Sequence, residues 1–232
     1  MTTDKVRHSE DMFKRAAGRA LLCLPLYLLV PVLIAFGLRL YGFEPDWGAY
    51  GLGALGWLAA LVLRGPVIAV AIGKLPREKA TTVVVASSGV LEESVRIILL
   101  ALTSFSASWA ASIGQGWAAV EVLFVMVNVV AVASLAGKTD EKSVQARQML
   151  EAQGTIHGNP LWGVLERVWA SAFHIGCTLV VASMPWLVIL LVPLHSMVNF
   201  MTVRLAKKSI GLGNLFIALC GACLLALGLA MA

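Results

Sequence analysis

Between Val168 and Val203 the chain runs for 36 residues without a Lys, Arg, Asp or Glu. As a single helix this run would measure about 54 Å at 1.5 Å per residue, nearly twice the roughly 30 Å hydrocarbon core of a bilayer. Such a run must cross a membrane, turn back and cross again, and Met184-Pro185-Trp186 near its middle supplies the turn. The rest of the chain agrees. Charged residues make up 13% of it, about half the soluble average, and the mean hydropathy is +0.85, which excludes an ordinary soluble globule and a disordered chain. The net charge of +5 does not mark a nucleic-acid binder here, because in a membrane protein the placement of Lys and Arg matters more than their sum.

Cutting the apolar runs at charges, prolines and polar turns gives seven spans, at approximately 17–40, 49–74, 79–103, 108–136, 163–184, 186–206 and 209–231. The expected fold is therefore all-α, a polytopic membrane helix bundle of about seven transmembrane helices forming one integral membrane domain over 1–232. Basic residues alternate between loops. Lys5, Arg7, Lys14, Arg15 and Arg19 lie in the N-terminal tail and at the very start of the first span, Lys74, Arg77 and Lys79 in or at the ends of the second loop, Lys138, Lys142 and Arg147 in the fourth, and Arg204, Lys207 and Lys208 in or beside the sixth. The other loops contain none, so the N-terminus is expected inside and the C-terminus outside. Residues 1–16 then form a cytoplasmic tail before a retained signal anchor. The loop 137–162 is cytoplasmic, with a helix start at Thr139-Asp140-Glu141-Lys142. All four cysteines fall within spans. Cys220-Gly221-Ala222-Cys223 has CxxC spacing, but among small apolar residues it reads as helix packing.

Subtracting the topological charges leaves Arg64, Glu92, Glu93, Arg96 and Glu121 at mid-membrane. Insertion of an ionised side chain there costs about 3 kcal/mol, so these residues are expected to face the bundle interior and mark a site. His174 and His195 lie at the same depth. Arg96 is i+4 from Glu92 and i+3 from Glu93, so one guanidinium can reach both carboxylates. Three glutamates would then be undercompensated, and one is expected to hold its proton unless a metal or Arg64 intervenes. Arg64 itself, before Gly65-Pro66, reads as a counter-ion or snorkelling anchor at a helix kink. His195 and Asn199 are also i,i+4, placing an imidazole and an amide on one stripe where both can donate to an oxyanion.

Glu92-Glu93-Ser94-Val95-Arg96 resembles the EExxR/K first motif of the PrsW and YhfC branches of the intramembrane protease superfamily, which also holds the CAAX-processing and bacteriocin-processing (Abi) enzymes. Gly114-Gln115-Gly116-Trp117-Ala118-Ala119-Val120-Glu121 resembles the second motif, and His174 and His195-Ser196-Met197-Val198-Asn199 resemble the remaining His and HxxxN/D motifs. The resemblance covers a core of about 80–205. Its spacing, with Glu in the second motif, favours the PrsW/YhfC side over a CAAX prenyl-protein substrate. The seven-span count is also similar to the scaffold subunit of gamma-secretase, which lacks the acidic pair.

The resemblance implies an intramembrane protease of a prokaryotic cytoplasmic membrane, with Glu92, Glu93, Arg96, Glu121, His174, His195 and Asn199 as catalytic residues. Two mechanisms fit. Glu92 acts as general base on water, helped by Glu121 or His174, with His195 and Asn199 on the oxyanion. Alternatively His174, His195 and Glu121 or Glu92 bind one Zn²⁺ or other divalent metal that activates the water. Either needs a polar cavity, expected to be lined by Ser88, Gly89, Gly114 and Gly116. The substrate would be a membrane-embedded or membrane-anchored protein. An ion- or proton-coupled transporter and a non-catalytic scaffold with a polar core are the competing readings of the same residues.

Overall fold

The computed structural model describes residues 3–152 and 158–232, and among these the side chains other than those of 3–9, 77, 78, 151 and 152. The side chains of Lys5, Arg7 and Arg77, and residues 153–157 of the long loop, thus lie outside the described residues. Nine α-helices are described, with no strand: α1 (Thr3–Leu22), α2 (Leu24–Tyr41), α3 (Trp47–Lys74), α4 (Arg77–Leu102), α5 (Ala107–Ala133), α6 (Glu141–Ala152), α7 (Leu161–Ser183), α8 (Val188–Lys208) and α9 (Ile210–Met231).

The helix ends follow from local chemistry. Gly42, at φ +108°, closes α2 in the left-handed conformation, its amide donating to Arg39 O at 3.1 Å and that of Phe43 to Leu38 O at 3.0 Å. The Asp46 carboxylate caps α3 by accepting from the Ala49 amide at 2.9 Å. The long uncharged run breaks where expected. α7 stops at Ser183, Pro185–Leu187 makes one 3-10 turn, and α8 runs back from Val188. The helix expected in the long loop is α6, capped by Asp140, which accepts from the Ser143 amide at 3.0 Å. Arg147 ties α6 to the end of α5 by donating to the carbonyls of Leu135 and Lys138, both at 2.6 Å.

Six helical segments among the described residues are long and apolar enough to cross a membrane, as a multi-pass membrane protein requires: Glu10–Tyr41, Trp47–Lys74, Ala107–Ala133, Leu161–Ser183, Pro185–Lys208 and Ile210–Met231. This differs from the expected seven. The segment expected at 79–103 is a helix of full length, α4, but Glu92, Glu93 and Arg96 put three charges into its most apolar part. The first segment is also longer than expected, because the polar stretch before residue 17 continues the helix with only a local break at Cys23.

Six helices form a closed ring in which α3 packs on α4, α4 on α8, α8 on α9, α9 on α7, α7 on α5 and α5 on α3. The ring is out of chain order, because the last helix fills the gap between α7 and α8. Helix α2 lies outside, against α5 and α7. Glycines permit the close crossings. A Cβ on Gly116 would lie 1.9 Å from Tyr50 O, one on Gly53 2.0 Å from Ile113 O, and one on Gly221 2.3 Å from Trp169 O. Gly221 thus accounts for the small residue within the CxxC stretch as a helix contact, and all four cysteines are free thiols. Because backbone rather than a flexible side chain meets that Cβ, Gly116→Leu is expected to separate α3 from α5 and cost about 3 kcal/mol or more. A normal melting profile of the detergent-solubilised variant would contradict this packing.

Candidate functional site

The ring places the ionisable residues of five helices, α3, α4, α5, α7 and α8, in one interior cluster. Glu92 and Glu93 sit side by side on α4 but turn to different cations. Glu93 and Arg96 are both fully buried, with Nε donating to Glu93 Oε2 at 3.0 Å. Glu92 takes Arg64 Nη2 of α3 on Oε1 and faces Trp117 Nε1 with Oε2 at 3.3 Å. The expectation that Arg96 bridges both glutamates is therefore corrected. With its Nε on Glu93, the guanidinium points across the ring to α7, where Nη1 donates to His174 O at 2.9 Å and to the Thr178 hydroxyl. Its flat face lies 4.5 Å from the Trp117 ring centroid, a cation–π contact sealed from water.

Glu121 of α5 is held by Arg167 of α7, Nη1 to Oε1 at 2.6 Å, and Arg167 Nη2 also donates to Glu166 at 2.7 Å. Arg167, four residues into the span expected at 163–184, is not among the mid-membrane charges singled out by sequence and so is missed. The signal was its place about two helical turns before His174, at seven residues and so on the same face. Each of Glu92, Glu93 and Glu121 thus has its own arginine, and the expected charge deficit does not arise. Arg64 is the intervening counter-ion, inside a helix that runs unbroken through Pro66.

The two imidazoles stand 5.3 Å apart, centroid to centroid, each with one nitrogen on an outer carboxylate and the other turned inward. His174 Nε2 lies 2.7 Å from Glu121 Oε2, and His195 Nδ1 lies 2.7 Å from Glu93 Oε1. The inward nitrogens, His174 Nδ1 and His195 Nε2, lie 3.9 and 3.7 Å from the same atom, Glu92 Oε2. Arg96 Nη2 stands 3.3 Å from His174 Nδ1 and can only donate, so the neutral ring carries its proton on Nε2, toward Glu121. Phe173 packs edge-on against both rings, fixing their tilt.

These groups form the inner end of a cavity of about 210 Å³ that takes lining residues from all six ring helices. Asn199, one turn beyond His195, reaches it and donates to Ser88 Oγ at 2.8 Å. Ser88 lines the cavity as expected, but the glycines do not. A Cβ on Gly89 would lie 2.3 Å from Val192 O, and one on Gly114 2.9 Å from Ile175 Cα, so with Gly116 they serve helix contact. A backbone without a side chain is used up by close approach and leaves no wall.

All seven residues singled out by sequence therefore meet at this site, and Arg64, Trp117, Arg167 and Thr178 join them. Arg167 reaches His174 only through Glu121, as a positioning residue. Arg167→Met is expected to leave Glu121 and Glu166 without their shared cation and to cost about 1–3 kcal/mol. Adding Glu121→Gln should recover part of that loss, and strict additivity of the two melting shifts would deny the coupling. No protein-family model, no curated protein and no solved structure matches this chain.

Proposed function

We propose that the cluster hydrolyses a peptide bond of a membrane-embedded or membrane-anchored protein. The observation that carries this reading is the convergence of Glu92 Oε2, His174 Nδ1 and His195 Nε2, all within 4.8 Å of one another, at the buried end of a half-open cavity. At 3.7–3.9 Å from Glu92 Oε2 the two nitrogens are beyond direct hydrogen bonding, and the three atoms stand around one point at which a water can bind. Glu92 takes a proton from that water as its oxygen bonds to the scissile carbonyl carbon, and returns it to the nitrogen as the C–N bond breaks. The second Asn199 amide hydrogen is a donor for the oxyanion. His195 in its imidazolium form is another, with Glu93 compensating its charge.

In this reading α4 is the seventh membrane helix. It packs between α3 and α8, two apolar segments of membrane-spanning length, and its three charges are buried and paired inside the ring, away from lipid. The basic loops then lie on the cytoplasmic side.

A metal-dependent form of the same hydrolysis is favoured by one specific feature. Histidine ligands of metals characteristically give their outer nitrogen to a carboxylate, as Glu121 and Glu93 do here. Glu92, His174 and His195 are a donor set suited to Zn²⁺, which would lower the pKa of a bound water and polarise the carbonyl. The Arg96 contact to His174 Nδ1 would have to give way. Stoichiometric metal in the purified protein, lost in His195→Ala, is the expected result for this form, and its absence in protein that still cleaves eliminates it.

The experiment that tests the function itself is cleavage of membrane-protein reporters in cells carrying the intact chain or Glu92→Ala. If the substitution alters no reporter while the protein stays folded, the hydrolase reading fails.

A further inference from the structure

The cavity has a direction and a polar lining, and both restrict what can reach Glu92. Apart from Trp57 beside the cluster, its lining runs from the cluster toward one end of the bundle. Val84 lies five residues from Lys79, Thr202 and Val203 adjoin Arg204, and Glu166 lies five residues into α7. These positions belong to the end that carries the basic loops. Exposure rises along the same path, from 1% at His195 and 4% at Glu92 to 44% at Val203. The opposite half of the ring is closed by side chains packed in one apolar core, among them Leu100, Ile113, Leu179, Val181 and Leu191. No residue of the turns at 103–106 and 184–187 lines the cavity.

Chemistry decides the conformation of what enters. A carbonyl within an intact helix is engaged in its own hydrogen bond and shielded by the neighbouring turns, so what reaches Glu92 for hydrolysis is a strip of extended backbone. Along that strip the cavity presents polar partners, Asn199 beside Ser88 and Glu166 further out. An extended segment needs such partners, since its own backbone groups are unpaired away from water.

Resting on the proposed hydrolase reading, we infer that the site takes its substrate as a short extended segment entering from the basic-loop end of the bundle. The substrate class is thus a chain end or an unwound juxtamembrane stretch on that side, not the middle of an intact transmembrane helix arriving from the lipid.

Single cysteines at Val84 and Thr202, with Lys142→Cys and Leu187→Cys as markers of the two ends, would be exposed to a small membrane-impermeant methanethiosulfonate in sealed vesicles of either orientation. Peptide mapping by mass spectrometry locates the label, so the native cysteines stay in place. Val84→Cys and Thr202→Cys are expected to react from the side on which Lys142→Cys reacts. Reaction from the Leu187→Cys side, or no reaction from either side while Lys142→Cys is labelled, overturns the inference. This readout does not depend on catalysis. Reporter cleavage supplies the second arm: products are expected to end within a flexible segment beside the membrane on the basic-loop side, and cleavage at the centre of an uninterrupted apolar span overturns the inference while upholding the hydrolase. If no reporter is cleaved at all, the hydrolase reading falls and the labelling still decides which end opens.

Discussion

Replacing Glu92 by glutamine is expected to leave the bundle folded and to lower reporter cleavage by about 10²–10⁴-fold, the usual contribution of a positioned general base. Glutamine is nearly isosteric, and its carbonyl oxygen can still accept from Arg64, so the α3–α4 pairing keeps a neutral hydrogen bond in place of an ion pair. What it loses is the capacity to take a proton from water. Arg64 is then left with less compensation, but its side chain is 21% exposed to the cavity, so the cost of that imbalance is screened by solvent. The measurement is paired: melting of the solubilised variant, which should stay close to that of the parent chain, and cleavage, which should collapse. Retention of full cleavage would remove Glu92 from the chemistry, and joint loss of fold and cleavage would assign it a structural role instead.

The second large effect concerns stability. Arg96→Met removes the cation of a fully buried ion pair and at once deprives Glu93, His174 O and Thr178 of a donor and the Trp117 face of its guanidinium. Breaking such a pair from one side costs about 3–5 kcal/mol, because the remaining charge is stranded where water does not reach it. For a chain of this size that corresponds to a fall in melting temperature of about 6–20 °C on the soluble-protein scale. The diagnostic variant is the double one. Glu93→Gln with Arg96→Met takes away the stranded charge while a hydrogen bond to His195 Nδ1 is retained, and should recover much of the loss. If the double variant is as unstable as the sum of the two single ones, the pair is not coupled as the geometry states. Arg96→Lys should also fail to restore stability, since an ammonium cannot serve Glu93, His174 O and an aromatic face from one rigid plane.

These effects separate two kinds of information. The all-helical class, the turn in the long run and the inward facing of the ionisable groups were legible in the sequence, because each rests on local or one-dimensional physics, whereas the expected seven spans became six apolar segments and a charged α4. A 36-residue uncharged run has to turn at Pro185, Thr139-Asp140-Glu141-Lys142 starts a helix, and a charge left over after the loops are accounted for has to face inward. On those grounds Glu92, Glu93, Arg96, Glu121, His174, His195 and Asn199 could be named from the sequence alone. Even so, the very residues that mark the site keep α4 out of the set of apolar helices, since hydropathy counts a paired, buried charge as if it faced lipid.

Partner choice was not legible. Spacing on α4 allowed Arg96 to hold both glutamates, and only the ring decided that it turns to α7 while Arg64 of α3 and Arg167 of α7 take Glu92 and Glu121. The order α3–α4–α8–α9–α7–α5, with the last helix inserted between two that are joined by a single turn, has no one-dimensional trace, because interhelical packing depends on which small residues meet which backbones across the bundle. The glycines taken for cavity walls were in fact spent on that packing. What the sequence by itself determined about this protein is that it spans a membrane and holds seven polar residues near one depth. The tertiary structure alone decided that the inward histidine nitrogens converge on Glu92 Oε2, that Glu92, Glu93 and Glu121 pair with three different arginines, and that the space beside them opens toward one end, since these are consequences of distances across helices and not of spacing along them.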